Sequence, residues 1–291
     1  MNNKPFSMPT LIDNLSDTAL WVAIFRAEES ERADAVFSDP YARRLAGERG
    51  EQIANAIQFS RTSSWSFVAR TWLIDDYVNR YVKDGYDMVI NLAAGLDTRP
   101  YRMSLPASLN WVEVDMPAIT EYKEQMMANE KPVCNLERVK LDLADREKRI
   151  ALFERLGNQS KKALVISEGL LIYLTETQVA ELATDLAKQK TFRNWIFDII
   201  SPGLMVIAQK QMGDVLDSNN QPFKFAPRSG ELFFENYGWK WIESRSQLKT
   251  ADALNRLEGD IKKWAAHPEP DGPKGDFPWS GICLLENNYT N

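Results

Sequence analysis

One histidine and two cysteines in 291 residues remove several chemistries at once. Two thiols, Cys134 and Cys283, cannot build a disulfide scaffold or a thiolate zinc site, and His267 alone excludes a histidine-rich metal centre. No metal is expected. Mechanisms of the Ser-His-Asp or Cys-His type are left with a single available base. Long apolar runs are missing as well. The longest, Trp195 to Ala208, is interrupted by Asp198, Ser201 and Pro202, and falls short of the roughly 18 to 20 residues of a membrane span. The apolar patch from Ala19 to Phe25 follows Asp13 and Asp17 rather than a basic region, so it does not read as a secretory signal. Basic clusters are lacking too. Acids outnumber bases 41 to 35 for a net charge of −6, and neutralising phosphates requires clustered Lys and Arg. A cytoplasmic protein without nucleic-acid or membrane partners is expected. What the chain does have is apolar mass: 44% hydrophobic residues against only 14 Gly and 14 Pro, enough to bury a large core.

The pattern changes near residue 85. Upstream it is helical, with Pro40, Gly47 and Gly50 as breaks. In Ser64 to Val82, Phe67, Ile74, Val78 and Tyr81 recur at helical spacing and Trp65, Val68 and Trp72 widen the stripe. Arg70 projects from that apolar face, where a guanidinium must find a buried anion or extend to water. Downstream, short β-branched runs alternate with helical stretches. Strands are expected at 87–92, 110–115, 138–142, 163–167, 194–200, 239–243 and 281–286, with helices at 117–129, 145–156 and 175–190 between them. Such alternation implies right-handed βαβ units and a doubly wound, mainly parallel α/β sheet of seven strands. The last strand follows a Pro/Gly-rich loop and is expected antiparallel. The division is then an N-terminal helical extension or lid, 1–85, and a sheet core, 86–291, with an irregular insertion at about 203–230.

Ligands of doubly wound sheets bind beyond the carboxyl ends of the strands. The first strand ends in Asn91-Leu-Ala-Ala-Gly-Leu-Asp-Thr-Arg. Against the dinucleotide fingerprint, Ala93, Gly95 and Thr98 stand at the three glycine positions, so only the central one survives. That disfavours a pyrophosphate and suits a ligand without phosphate. Asp115 ends the second strand, placed to accept from both ribose hydroxyls. Asp142 follows the third, where it can accept from an adenine amino group while Leu143 covers the ring. Glu168 follows the fourth. Each acid alone is more often a cap or a solvated strand end; three at consecutive strand ends beside a glycine turn are harder to explain so.

These motifs, with Ser-Glu-Gly-Leu-Leu-Ile-Tyr-Leu at 167–174 and Asp39-Pro-Tyr and Arg26-Ala-Glu-Glu-Ser upstream, resemble the leucine carboxyl methyltransferase family. Its wider membership includes bacterial polyketide-type O-methyltransferases. The resemblance spans about Thr18 to Leu174. It implies a class I methyltransferase (Rossmann-like) fold and S-adenosyl-L-methionine as cofactor. By position it further implies Arg70 on the cofactor carboxylate, Gly95 under that moiety, Asp115 on the ribose, Asp142 and Leu143 at the adenine, and Glu168 beside them. A cofactor-contacting lysine that some members carry before Asp-Pro-Tyr has no counterpart; Asp34 stands near that place.

The expected activity is methyl transfer to an oxygen of a small organic acceptor, with a carboxylate preferred to a hydroxyl because an ionised nucleophile needs no general base. Asp198 and Tyr173 are the catalytic candidates. Arg99 and Arg102 are expected in structural ion pairs, His267 in a surface loop, and Met205, Phe223 and Phe225 as apolar walls of the lid. The alternatives are a protein C-terminal carboxyl methyltransferase, a non-catalytic S-adenosylmethionine-binding module and a nicotinamide oxidoreductase, the last opposed by the missing glycines.

Overall fold

A computed structural model describes residues 15–56, 61–217 and 223–290. Three helices come first: α1 (Leu15–Ser30), α2 (Ala42–Ala56, broken at Gly47) and α3 (Ser64–Lys83). Then follow β1 (Met88–Leu92), α4 (Arg99–Arg102), β2 (Asn110–Asp115), α5 (Pro117–Met126), β3 (Asn135–Lys140), α6 (Arg146–Gln159), β4 (Ala163–Ser167), α7 (Glu176–Ala187) and β5 (Phe192–Ile200). The chain continues through α8 (Pro202–Asp217), a 3-10 stretch at Gly230–Tyr237, β6 (Trp239–Ser246), α9 (Gln247–Ala253), α10 (Gly259–Ala265) and β7 (Ser280–Asn287). The strands form one seven-stranded sheet in the order β3-β2-β1-β4-β5-β7-β6. Pairings among β1 to β5 are parallel, and β7 runs antiparallel to both neighbours.

Local chemistry accounts for the helix starts. Asp145 caps α6 by accepting from the Lys148 amide at 3.2 Å. Thr175 and Gln178 close a reciprocal capping box at the start of α7. Central strands β1 and β4 are buried along their whole length, as near-continuous apolar runs covered on both faces must be. One face carries Leu152, Phe153 and Leu156 of α6 and Val179, Leu182 and Leu186 of α7, continuous with Trp195, Trp239 and Phe234. The other is covered by Leu73, Ile74, Tyr77 and Val78 of α3, against Val89, Trp111, Leu164 and Ile196. So α3, inside the expected N-terminal extension, packs directly on the sheet. A separate cluster built on Trp21, Ile24, Phe25, Leu45 and Ile53 joins α1 to α2 and to Leu96 beyond β1.

Three expectations need correction. Residues 203–230 are not irregular throughout. Pro202 opens α8, where a missing N–H costs nothing, and Ser201 Oγ accepts from the Leu204 amide at 3.1 Å. Residues 218–222 lie outside the described ones. Phe225 and Met205 are also not free walls: Phe225 is 1% exposed against Phe233 and Phe234, and Met205 is buried. Of the three, Phe223 alone is half-buried, beside the α1–α2 cluster. Third, β3 starts earlier than expected and ends at Lys140, which places Asp142 in the turn beyond it.

Candidate active site

The strand order puts the carboxyl ends of β3, β2, β1, β4 and β5 side by side, with the chain's direction of travel reversing at β1. There lie, in the same order, Asp142, Asp115, Gly95, Glu168 and Asp198. The turn after β1 has the backbone of the fingerprint without its first glycine. Ala93 sits at φ +54° and Gly95 at φ +46°, so an alanine carries a left-handed conformation that costs it about 1 to 2 kcal/mol. A side chain at Gly95 would need that same strain and would meet Ala19 Cβ at 3.5 Å. Asp115 fixes the turn, accepting from the Gly95 amide at 2.6 Å and the Met116 amide at 2.7 Å. Burial pushes its carboxyl up, and those two amides offset part of the rise.

Arg70 reaches into the crevice from α3 across the face of Phe67, 5.2 Å from the ring centroid. It finds its anions within the protein: Nε donates to Glu168 Oε1 at 3.0 Å and Nη1 to Asp198 Oδ2 at 3.2 Å. Nη2 has no protein partner among the described residues. Asp198 spends its other oxygen on the Gly169 amide at 2.6 Å, where Gly169 adopts φ +67°. Glu168 is held from the other side by Arg99 Nη1 at 2.9 Å. Burial raises the Glu168 carboxyl, but Arg99 and then Arg70 overcome this and leave it below the usual range.

Tyr173 follows Glu168 on the same connection. Its ring lies 5.7 Å from that of Phe223, and its hydroxyl hydrogen-bonds Thr18 of α1. Burial raises its phenol, so the proton stays. Asp142 is exposed in the turn beyond β3, where Oδ1 accepts from the Ala144 amide at 2.8 Å, and Leu143 packs against the sheet core. His267 is remote and exposed near the end of α10, with Nδ1 3.1 Å from the Lys263 carbonyl. Asp34 pairs with Arg32 and Arg256, away from these groups.

Arg99 and Arg102 do form internal ion pairs, and their centrality was not legible from the motifs. Arg99 is 2% exposed and binds Asp75, Asp97 and Glu168 together, while both oxygens of Asp75 also accept from Arg102. The available signal was Asp75, an acid five residues after Arg70 within an apolar helix, and Asp97 two residues before Arg99. Among the described residues no group of three or more His, Cys, Asp or Glu is arranged to hold a metal ion. Nor is any helix among them long and apolar enough to cross a membrane.

The model of the leucine carboxyl methyltransferase family matches residues 19–187. The chain belongs to that family. The match includes Arg70, Gly95, Asp115, Asp142, Leu143, Glu168 and Tyr173, and stops before Asp198 and α8. Relatives agree in name. A candidate S-adenosyl-L-methionine-dependent methyltransferase from Streptomyces coelicolor is 34% identical over 59% of this chain and 64% of its own length. The shared segment is thus under two thirds of that relative. Another, from Frankia alni, is 28% identical over 89% of this chain and 91% of its own. Two solved structures share the fold. A DUF574 family protein from Streptomyces avermitilis superposes with a TM-score of 0.58, at 14% identity over 91% of this chain and 96% of that one. A candidate methyltransferase from Thermobifida fusca gives 0.57, at 13% identity over 95% and 96%. The sheet is therefore that of the class I, Rossmann-like methyltransferases to which the family belongs.

Proposed function

We propose that this chain is an S-adenosyl-L-methionine-dependent O-methyltransferase acting on a carboxylate of a small organic acceptor. The crevice fits the cofactor. Arg70 keeps Nη2 for the methionine carboxylate; Gly95 leaves room for that moiety; Asp115, whose oxygens each retain a lone pair, takes the ribose hydroxyls. Asp142 and Leu143 serve the adenine, and Glu168 accepts from the amino group. When bound, the cofactor supplies an electrophilic sulfonium methyl. The chain's part is alignment of acceptor oxygen and methyl, and exclusion of water.

One observation supports the choice of acceptor: among the described residues, Glu168, Asp198 and Tyr173, the acids and phenol beside Arg70, are each already engaged and none is placed to act as a base. Glu168 is divided between two arginines, Asp198 between Arg70 and the Gly169 amide, and Tyr173 retains its proton. A hydroxyl would need a base; a carboxylate arrives ionised. In this reading Asp198 and Tyr173 orient groups and do not move protons. Phe223 of the 203–230 segment packs beside the α1–α2 cluster and against the Tyr173 ring, so the acceptor is expected where the N-terminal helices of 1–85 and this segment meet over the core of 86–291.

The test uses methyl-labelled cofactor and a panel of aromatic and aliphatic acids and phenols. The expected product releases methanol in mild alkali, as esters do. An alkali-stable methyl ether would move the acceptor to a hydroxyl. Cofactor binding without turnover across the panel would favour a binding module.

A further inference from the structure

Several residues around the crevice converge on one buried arginine. Arg99 Nε donates to Asp75 Oδ1 at 2.6 Å, and Nη1 donates to both Asp97 Oδ2 at 2.8 Å and Glu168 Oε2 at 2.9 Å. Its own amide donates to Asp97 Oδ1 at 2.8 Å. One guanidinium thereby ties α3, the loop that carries Gly95, and the end of β4. These three elements hold Arg70, Gly95 and Glu168. From this geometry we propose that Arg99 is a positioning residue of the cofactor site: it locks Glu168 and the glycine loop onto α3, so that Arg70 presents Nη2 to the cofactor. The proposal rests on the reading of the crevice given above.

The physical reason is the company Glu168 keeps. The groups facing it are Arg70 from α3, Arg99 from α4, Asp97 from the loop after β1 and Arg26 from α1. Asp198 of β5 and Tyr173 of its own connection reach it through Arg70. Among the described residues only Arg99 and Arg70 bond its carboxylate directly. A buried carboxylate that loses one of two cations takes up a proton more readily. Protonated, Glu168 has one fewer acceptor and no charge to hold Arg70 in place. The lock on the glycine loop weakens as well, because Asp97 then keeps only its Asn91 partner at 2.7 Å and its backbone bond.

Arg99 is 2% exposed and turned to Asp75, Asp97 and Glu168, so a plain loss of affinity on substitution would not separate positioning from general damage. The pH dependence does. Binding of S-adenosylhomocysteine is measured by calorimetry at pH 8 and pH 6 for wild type, Arg99→Gln, Arg99→Lys and the double variant Arg99→Gln with Glu168→Gln. Taking the wild-type ratio of affinities as reference, Arg99→Gln is expected to lose a further fivefold or more on going to pH 6. In the double variant that extra loss disappears, since the proton has nowhere to go. Arg99→Lys keeps a charge but can engage only part of the fork, so the extra loss shrinks to about two- to threefold. A folded Arg99→Gln protein with the wild-type ratio overturns the proposal, as does an extra loss that persists without Glu168. If Arg99→Gln does not fold, Arg99→Lys decides: an extra loss of two- to threefold supports the proposal and a wild-type ratio overturns it. Absence of binding by wild type at either pH overturns the reading of the crevice instead.

Discussion

Two ion-pair clusters in this molecule, each built on largely buried acids, combine acids and cations in opposite proportion. Between α6 and α7, the single carboxylate of Asp185 accepts from Arg146 at 3.0 Å, Arg149 at 2.7 Å and Lys188 at 3.2 Å. Cations exceed acids, and the acid is saturated. At the crevice, Asp75, Asp97, Glu168 and Asp198 face Arg70, Arg99 and Arg102, so four acids meet three arginines. Acids exceed cations by one, and Arg70 keeps a nitrogen with no partner among the described residues. The first arrangement is complete within the fold, joining two helices. The second is left one positive charge short, and the proposed cofactor, with two cationic groups and one carboxylate, carries a net charge of that sign. Both satisfy the requirement that buried charges be paired, so burial alone does not separate structure from function. Stoichiometry does.

This contrast can be broken by perturbing each cluster in turn. Asp185→Ala strands Arg149 in a buried position, and stability should fall by about 3 kcal/mol in urea titration. Cofactor affinity should not change; a coupled loss would show that the helix-pair cluster also shapes the crevice. Arg70→Ala should do the reverse, weakening cofactor binding by about 2 to 3 kcal/mol. Stability should move by less than about 1 kcal/mol, because Glu168 retains Arg99 and Asp198 retains the Gly169 amide. Equal loss of stability and affinity would return Arg70 to a purely structural role.

Acid should act on both clusters at once. Burial raises the carboxyls of Asp97 and Asp185, but Arg99, Lys123 and Arg102 overcome it for the first and Arg146, Arg149 and Lys188 for the second, leaving each at about 2. A folded value below the unfolded one gives stability that is present above about pH 4 and lost as pH falls through 4 towards 2. Each acid should account for roughly 2 kcal/mol of that loss, and Asp185→Asn should flatten the acid limb. The smallest effect is expected for Asp115→Ala, about 1.5 kcal/mol of cofactor affinity from lost charge-assisted bonds. A calorimetric change no larger than error would remove Asp115 from the ribose.

The order of strands and helices was legible because its cause is local. Alternating β-branched runs and 3.6-period stripes, closed by caps such as Asp145 and Thr175, place β2 and β4 to the residue. Gly95, Asp115 and Glu168 followed, since strand ends in a doubly wound sheet converge on one crevice whatever the rest of the chain does. The 203–230 segment was misjudged because Gly203 at its start and Pro222, Pro227 and Gly230 towards its end mask a helical run that tolerates Gly213 within it, and Phe225 gave no sign that it turns into the core.

Which partner each charge takes was decided only in three dimensions. Arg70 lies 98 residues from Glu168 and 128 from Asp198, and Arg99 meets Asp75 across 24. Periodicity says that a guanidinium on an apolar face needs an anion; it carries no information on which one. Sequence alone determined the sheet, the crevice and the residue types that line it, because hydrophobic pattern and turn chemistry act over a few residues. Tertiary packing decided that Arg99 binds three acids, that Glu168 and Asp198 are both engaged by Arg70, and that Arg70 keeps one donor without a partner among the described residues, because those outcomes depend on distances between segments far apart in the chain.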